Sequence, residues 1–347
     1  MCKREHQKLL HKFEVEECTQ KNVKNKRSKA DVSKTVKAFS RCAAGKATPD
    51  PWDLRPAPVL ATTMNYLLEK IAPREDVPWN IVYDFVADRI RAVRQDIVIQ
   101  HLPGDDTCQI LMQCIRFYLY SSYRLCEEPL ANFDPHLNNI QAMECMKMLL
   151  VNFSNMRNPP IKEAQELEAL YLLFNLGSTD AMLHAYECHR DIRECAKVRL
   201  ALNLNRAYME GNYVHLFRLV RKLTFLEMCS MHRHVPKLHR LTIQQMSVAY
   251  SSKVLTYPVE QLRRLLLLDT ECMAADLCRY YGITIDGKRI RFIKAAWNDA
   301  DAYRKSGRVG MAETGIDVPT DASLESQATG HKVESTKASH AYIGARS

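Results

Sequence analysis

Apolar residues recur along most of this chain at intervals of three and four. Val82, Phe85, Val86, Ile90, Val93 and Ile97 form one such stripe, which predicts a helix over about 78–101. Pro78 is placed to open it, and Pro103-Gly104 to stop it. A second stripe, Ile110, Leu111, Cys114, Ile115, Tyr118 and Leu119, follows Asp105-Asp106-Thr107, whose oxygens suit an N-cap. Asp134-Pro135 reads as cap and first helical residue of a helix to about Phe153, broken by Asn158-Pro159-Pro160. The next helix runs over about 161–176, with Leu167, Leu170, Tyr171 and Phe174 on one face and Gly177 behind it. Ser178 or Thr179 can cap the helix after that. Helices with short breaks continue to about residue 250, and Ala207 to Tyr213 resembles the turn of an αα-hairpin. Stacked antiparallel pairs of this kind build a solenoid-like array, although no strict repeat period is present.

The pattern changes after Thr256. Pro258 can open a helix carrying Leu262, Leu265 and Leu266, and Asp269 or Thr270 can cap another with Ala274, Leu277, Cys278 and Tyr281. Apolar residues then alternate through Ile283, Ile285, Ile290 and Phe292 around Asp286-Gly287, a strong hairpin signal. Helices followed by a hairpin describe a winged helix. The fold class expected is all-α: a helical-repeat array capped by a winged helix with a small β-hairpin. The divisions expected are a basic extension over 1–48, the array over 49–256, the winged-helix module over 257–303 and a disordered tail over 304–347. Leu9, Leu10 and Phe13 suit a short amphipathic helix within the extension, while Lys21 to Lys29 reads as flexible.

Charge sharpens this picture. The 347 residues carry a formal net charge of +9, and +8 of it falls within 1–48, leaving 49–303 neutral. A basic arm on a neutral body suits nucleic acid, an acidic protein face or an anionic surface, and equally a solvated lead segment. No stretch approaches the ~20 apolar residues of a spanning helix, and the charged start Lys3-Arg4-Glu5-His6 is unlike a secretory signal. The 12 cysteines form no C-x-x-C pair and sit mostly among apolar neighbours, as reduced thiols of a nuclear or cytosolic protein do.

Candidate chemistry is sparse. Gly282 to Arg289 nearly matches a phosphate-binding loop, but Arg289 stands where a hydroxyl should hold magnesium, and the residues between alternate as a strand. His184, Cys188, His189 and Cys195 cluster in sequence, as do Cys229, His232, His234 and His239. Neither has a zinc-site spacing, so core cysteines beside surface histidines are expected, with no metal and no cofactor. No catalytic constellation is visible, so the chain is expected not to be an enzyme. Two charged sets remain. Asp88, Arg89, Arg91, Arg94 and Asp96 make one helix face dense in charge, suited either to bracing or to docking a partner. Arg263, Arg264, Lys288, Arg289, Arg291 and Lys294 gather at the winged end. With Ile290 and Phe292 turned to the core, Arg289 and Arg291 face outward, where they suit phosphates.

Several stretches together resemble the Sac-three/GANP domain. They are Met1-Cys2 with Glu5 and Phe13-Glu14; Lys34 to Lys46; Asp53-Leu54-Arg55-Pro56 through Leu68; Phe85 to Asp96 with Gln100; Glu166 to Leu173; and Tyr281-Gly282-Ile283. The resemblance covers about residues 1–300. It implies a PCI-like array capped by a winged helix that pairs with a PCI-domain protein and recruits a small acidic peptide protein. In the family's export scaffolds the paired winged helices bind nucleic acid. The implied role is mRNA export, in nucleus and cytoplasm. The chain lacks the Phe-Gly repeats and acetyltransferase-like region of large members, and has Lys3 where the family has proline. In size it is similar to short members associated with centrosomes and spindle assembly. Direct RNA binding without a PCI partner is the remaining alternative.

Overall fold

In the computed structural model, which describes residues 12–14, 31, 33–41 and 50–300, the expected stripes become buried helix faces. Helix α1 (Ala57–Tyr66) runs on into one π-helical turn, Leu67–Ile71, closed by the Ala72 N–H donating to the Leu67 carbonyl at 2.9 Å. Helix α2 (Trp79–Gln100) begins behind Pro78 and buries its whole predicted stripe. It stops before Pro103: His101 takes the left-handed conformation (φ 49°), and the Leu102 N–H returns to the Ile97 carbonyl at 3.2 Å. Helix α3 (Asp105–Arg124) has Gly104 at its N-cap, so Asp105 and Asp106 lie within the first turn, where they favour the positive end of the helix dipole.

Asp134 caps α4 (Pro135–Asn155) as expected, accepting from the His136 N–H at 2.8 Å. Helices α5 (Ile161–Phe174), α6 (Thr179–Glu187), a single turn α7 (Arg190–Arg193) and α8 (Ala196–Met209) follow. The turn into α9 (Tyr213–Val220) uses Gly211, and α10 (Phe225–Met231) starts with a Thr224/Glu227 capping box. Helix α11 (Val235–Ala249) ends the array. Helix α3 lies on α4, α5 on α8 and α10, and α9 on α8 and α11, around one continuous apolar core. Polar side chains stitch the layers together. Arg116 on α3 meets Glu166 on α5 in a two-pronged contact at 3.0 and 2.9 Å. Buried Asn205 on α8 accepts from the Gly177 N–H and donates to the Leu172 carbonyl.

The closing module holds more sheet than a hairpin. Strand β1 (Tyr257–Pro258), helix α12 (Val259–Leu266), helix α13 (Glu271–Tyr280) and strands β2 (Thr284–Asp286) and β3 (Arg289–Arg291) form it. The antiparallel order is β1-β3-β2, so β3 is central, with Ile290 opposite Ile285 on one side and Tyr257 on the other. Two residues could not be read as a strand from their sequence, because β1 exists only through its pairing with β3. The loop is Gly287-Lys288 rather than Asp-Gly, with positive φ only at Gly287 (57°), as a hairpin turn with glycine first requires. Helix α12 rests on α9 of the array, and buried His239 on α11 donates from Nε2 to the Leu266 carbonyl at 2.9 Å. This mostly helical array closed by a small sheet is compatible with a PCI-like fold. Most of the expected basic extension and the whole of 304–347 lie outside the described residues; Phe13 falls in a single 3₁₀ turn, Lys12–Glu14.

Candidate functional site

The charged face of α2 is where the lead segment 33–41 and the residues around 50–55 are fastened. Asp96 has a fully buried side chain with two cations on it: Lys37 Nζ at 2.6 Å and Arg55 Nε at 2.7 Å. The Arg55 N–H adds a longer bond at 3.4 Å, and Gln100 donates to the Arg55 carbonyl at 2.8 Å. Asp88 accepts from the Phe39 N–H at 3.2 Å and pairs with Arg89 Nη1 at 2.8 Å. Arg89 also meets the buried carboxylate of Glu14 at 3.2 Å and lies over the Phe85 ring. The same Glu14 accepts from the Val36 N–H at 3.2 Å. Arg91 covers the ring of Phe39, its guanidinium 4.0 Å from the centroid. Phe13 meets Phe85 edge-on at 5.2 Å.

Of the five residues suited to docking, then, Asp96, Arg89 and Arg94 are buried and turned inward. Arg94 faces the other way from Asp96, donating to Gln141 at 2.6 Å and Glu144 at 2.7 Å on α4. The reason is geometric. A 22-residue helix with apolar and charged residues on every side is covered on most of its circumference. One flank meets α4 and another meets the lead segment, so the charges serve as braces. Half-exposed Asp88 and Arg91 are the members that retain an outward aspect.

The basic set of the closing module divides as well. Arg263 is held by Glu260 through two bonds, 2.6 and 2.7 Å, and donates to the Leu268 carbonyl; its side chain is mostly buried. Arg264 shares the same carboxylate at 2.7 Å but stays exposed. Arg263 first, and Arg264 second, hold the Glu260 carboxyl down at about 2. Lys288, Arg289 and Lys294 are exposed, and Arg289 donates to Thr256 Oγ1 at 2.6 Å. Arg291 is half-exposed and 3.8 Å from Asp286. Thr284, Asp286, Arg289 and Arg291 therefore share the outer sheet face, and Asp286 tempers the positive charge there.

The glycines of the near-phosphate-loop have structural duties. Gly282 (φ 77°) ends α13 in a Schellman motif: the Ile283 N–H reaches the Cys278 carbonyl and its own N–H that of Arg279, both at 3.0 Å. No loop of inward N–H groups forms between it and Gly287.

Of the two histidine-cysteine clusters, the second does not assemble. His234 and His239 each face a carbonyl oxygen at 2.9 Å, and His232 is buried edge-on against Tyr123. His232 and His239 are thus core residues, contrary to the surface placement expected, because Tyr123 of α3 covers the first, and Phe217 of α9 with the end of α12 covers the second. Burial pushes the His234 and His239 rings down to about 4, so both are neutral. In the first cluster His189 turns to Asp191 at 3.4 Å, and Cys195 caps α8 by accepting from the Val198 N–H. His184 and Cys188 remain together and are joined by Glu168 from α5. Glu168 is absent from the sequence cluster, since nothing local links it to residues 16 and 20 positions later. Among the described residues no helix is long and apolar enough to cross a membrane.

Fold and site define a helical scaffold whose charged central helix clasps its own N-terminal segment, closed by a small basic-faced sheet. The model of the SAC3/GANP family matches residues 1–287. The chain is 26% identical over 266 residues to Protein xmas of Drosophila melanogaster, covering 73% of this chain and 13% of that protein. It is 29% identical over 280 residues to SAC3 family protein B of Arabidopsis thaliana, covering 75% and 16%. It is 26% identical over 303 residues to SAC3 family protein 1 of Schizosaccharomyces pombe, covering 81% and 29%. The chain belongs to the SAC3/GANP family, and it spans less than a third of the length of these relatives. The family match ends in the hairpin turn, so Lys288, Arg289, Arg291 and Lys294 lie beyond it.

Proposed function

We propose that this chain is a non-enzymatic scaffold of mRNA export, working in the nucleus and cytoplasm. Its array and a winged-helix module over 257–303 would pair with a PCI-domain protein and a small acidic peptide protein. The observation that carries this reading is the family match over 1–287, whose signature residues on α2 are engaged in holding the domain together rather than in chemistry. Extended helical arrays act through surfaces. The exposed cations Arg264, Lys288, Arg289 and Lys294, with Arg291 beside them, supply a modest, salt-dependent contact for RNA phosphates next to that pairing surface.

Affinity purification of the tagged chain from nuclear extract tests the scaffold. A PCI-domain protein together with export factors is the expected catch, and depletion should retain polyadenylated RNA in the nucleus. Centrosomal and spindle proteins without export factors would replace the export role by one in cell division. Partners lost wholly on RNase treatment would leave direct RNA binding. Filter binding tests the sheet: Arg289→Glu with Arg291→Glu should weaken RNA retention, and unchanged retention sinks the RNA contact.

A further inference from the structure

Glu168 on α5 is a carboxylate in the protein interior, with 2% of its side chain exposed. Its partner among the described residues is His184 on α6, whose Nδ1 lies 3.2 and 3.1 Å from the two carboxylate oxygens. Cys188, one turn further on, brings its Sγ to 3.9 Å from that same Nδ1. The three ligand atoms all lie within 4.8 Å of one another.

The convergence on one ring nitrogen is informative. A hydrogen-bonded relay from thiol through imidazole to carboxylate uses both nitrogens, one for each neighbour. Here both neighbours meet Nδ1, which can hold a single proton and give it to one of them. A cation at the centre satisfies all three at once. Zinc bonds of about 2.0–2.3 Å in a tetrahedral arrangement separate their ligand atoms by roughly 3.3–3.7 Å. The observed separations to Nδ1, 3.1 to 3.9 Å, bracket that spacing. Carboxylate and thiolate together balance a doubly charged ion, and thiolate with imidazole selects zinc over magnesium or calcium.

We propose that Glu168, His184 and Cys188 form a three-ligand zinc site that clips α6 to α5, with its fourth position open to water or to a partner's side chain. Binding releases the Cys188 thiol proton to solvent. The Nδ1 proton that faces Glu168 in the free protein also leaves that nitrogen, passing to Nε2 by exchange with solvent when the ring is neutral or to solvent when it is an imidazolium. The ring then coordinates through Nδ1 with one proton on Nε2. His189 and Cys195 are not ligands, since one turns to Asp191 and the other caps α8.

Cobalt substitution of the full chain tests the site. Chelator-treated protein titrated with Co²⁺ should saturate at one equivalent, with thiolate-to-cobalt charge-transfer absorption in the near ultraviolet that Zn²⁺ bleaches. Cys188→Ser should abolish that band, and Cys272→Ser, at an exposed thiol elsewhere, should leave it intact. Glu168→Gln should weaken zinc in a chelator competition by about 10-fold or more. Cys188 is half-exposed at a helix end, so its serine variant keeps the fold, and circular dichroism verifies this for both variants. Absence of a saturable one-equivalent signal overturns the proposal, and so does a band that persists in Cys188→Ser.

Discussion

Lys37 reaches across 59 positions of sequence to place its Nζ 2.6 Å from Oδ1 of Asp96, on a carboxylate that has no solvent exposure. With Arg55 on the other oxygen, this contact holds the lead segment against α2. Asp96→Asn leaves both cations facing a neutral amide. The expected loss is about 2–4 kcal/mol in chemical denaturation, given that Lys37 can partly relax into water. Limited proteolysis should then cut faster within 33–55. Lys37→Met, which removes the more exposed partner, should cost about 1 kcal/mol.

Two glycines of the closing module should respond very differently to alanine. Both have positive φ, 77° at Gly282 and 57° at Gly287. At Gly287 an added Cβ meets open space, so Gly287→Ala costs about 1 kcal/mol of backbone strain. At Gly282 the Cβ would run into the backbone carbonyl of Ala296, which cannot step aside without moving the segment behind it. Gly282→Ala should cost about 3 kcal/mol or more. Urea unfolding of the two variants compares them directly.

Ile290 is fully buried in the central strand, between Tyr257 and Ile285. Ile290→Asp puts an unpaired carboxylate there and should cost about 3–5 kcal/mol, releasing the sheet from the helices. Its neighbour Arg289 points outward, and Arg289→Glu, which gives up the Thr256 bond and faces Asp286 across the strands, should cost only about 1 kcal/mol. Thermal unfolding separates the two, and the same measurement on the Arg289→Glu, Arg291→Glu double variant decides whether its RNA-binding defect is loss of contact or loss of fold.

His239 ties α11 to the end of α12, and only one of its ring nitrogens has a partner, a carbonyl that needs an N–H. A second proton would sit on a buried Nδ1 with no acceptor. Burial lowers its proton affinity from 6.5 to about 4. Below pH 6.5 the unfolded chain takes up a proton that the folded chain refuses, so stability falls as pH drops from 6.5 toward 4. Above 6.5 the ring contributes no slope. The decline is about 1 kcal/mol per pH unit for each such histidine, and His234 acts over the same interval. His239→Gln should reduce the slope between pH 6.5 and 5 in equilibrium denaturation.

Much of this architecture is legible without coordinates. The stripe on α2, the Asp134 cap of α4, the Gly211 turn and the burial of Ile290 and Phe292 all follow from local periodicity and turn chemistry. The charged face of α2 shows where local reading stops. Its residues are evident, but which flank is covered depends on Glu144 about 50 residues later and Lys37 about 60 earlier. Strand β1 shows the same limit, since two residues have no period of their own.

Sequence alone determined the helical array, its break after Thr256, the hairpin and the family resemblance, because helix stripes, caps and turns are encoded within a few residues. Only the tertiary structure decided that Asp96, Arg89 and Arg94 face inward, that β1 completes a three-stranded sheet, and that Glu168 joins His184 and Cys188. Each of these depends on which distant segment covers a given face. That choice comes from packing the whole core at once, and no short window of sequence contains it.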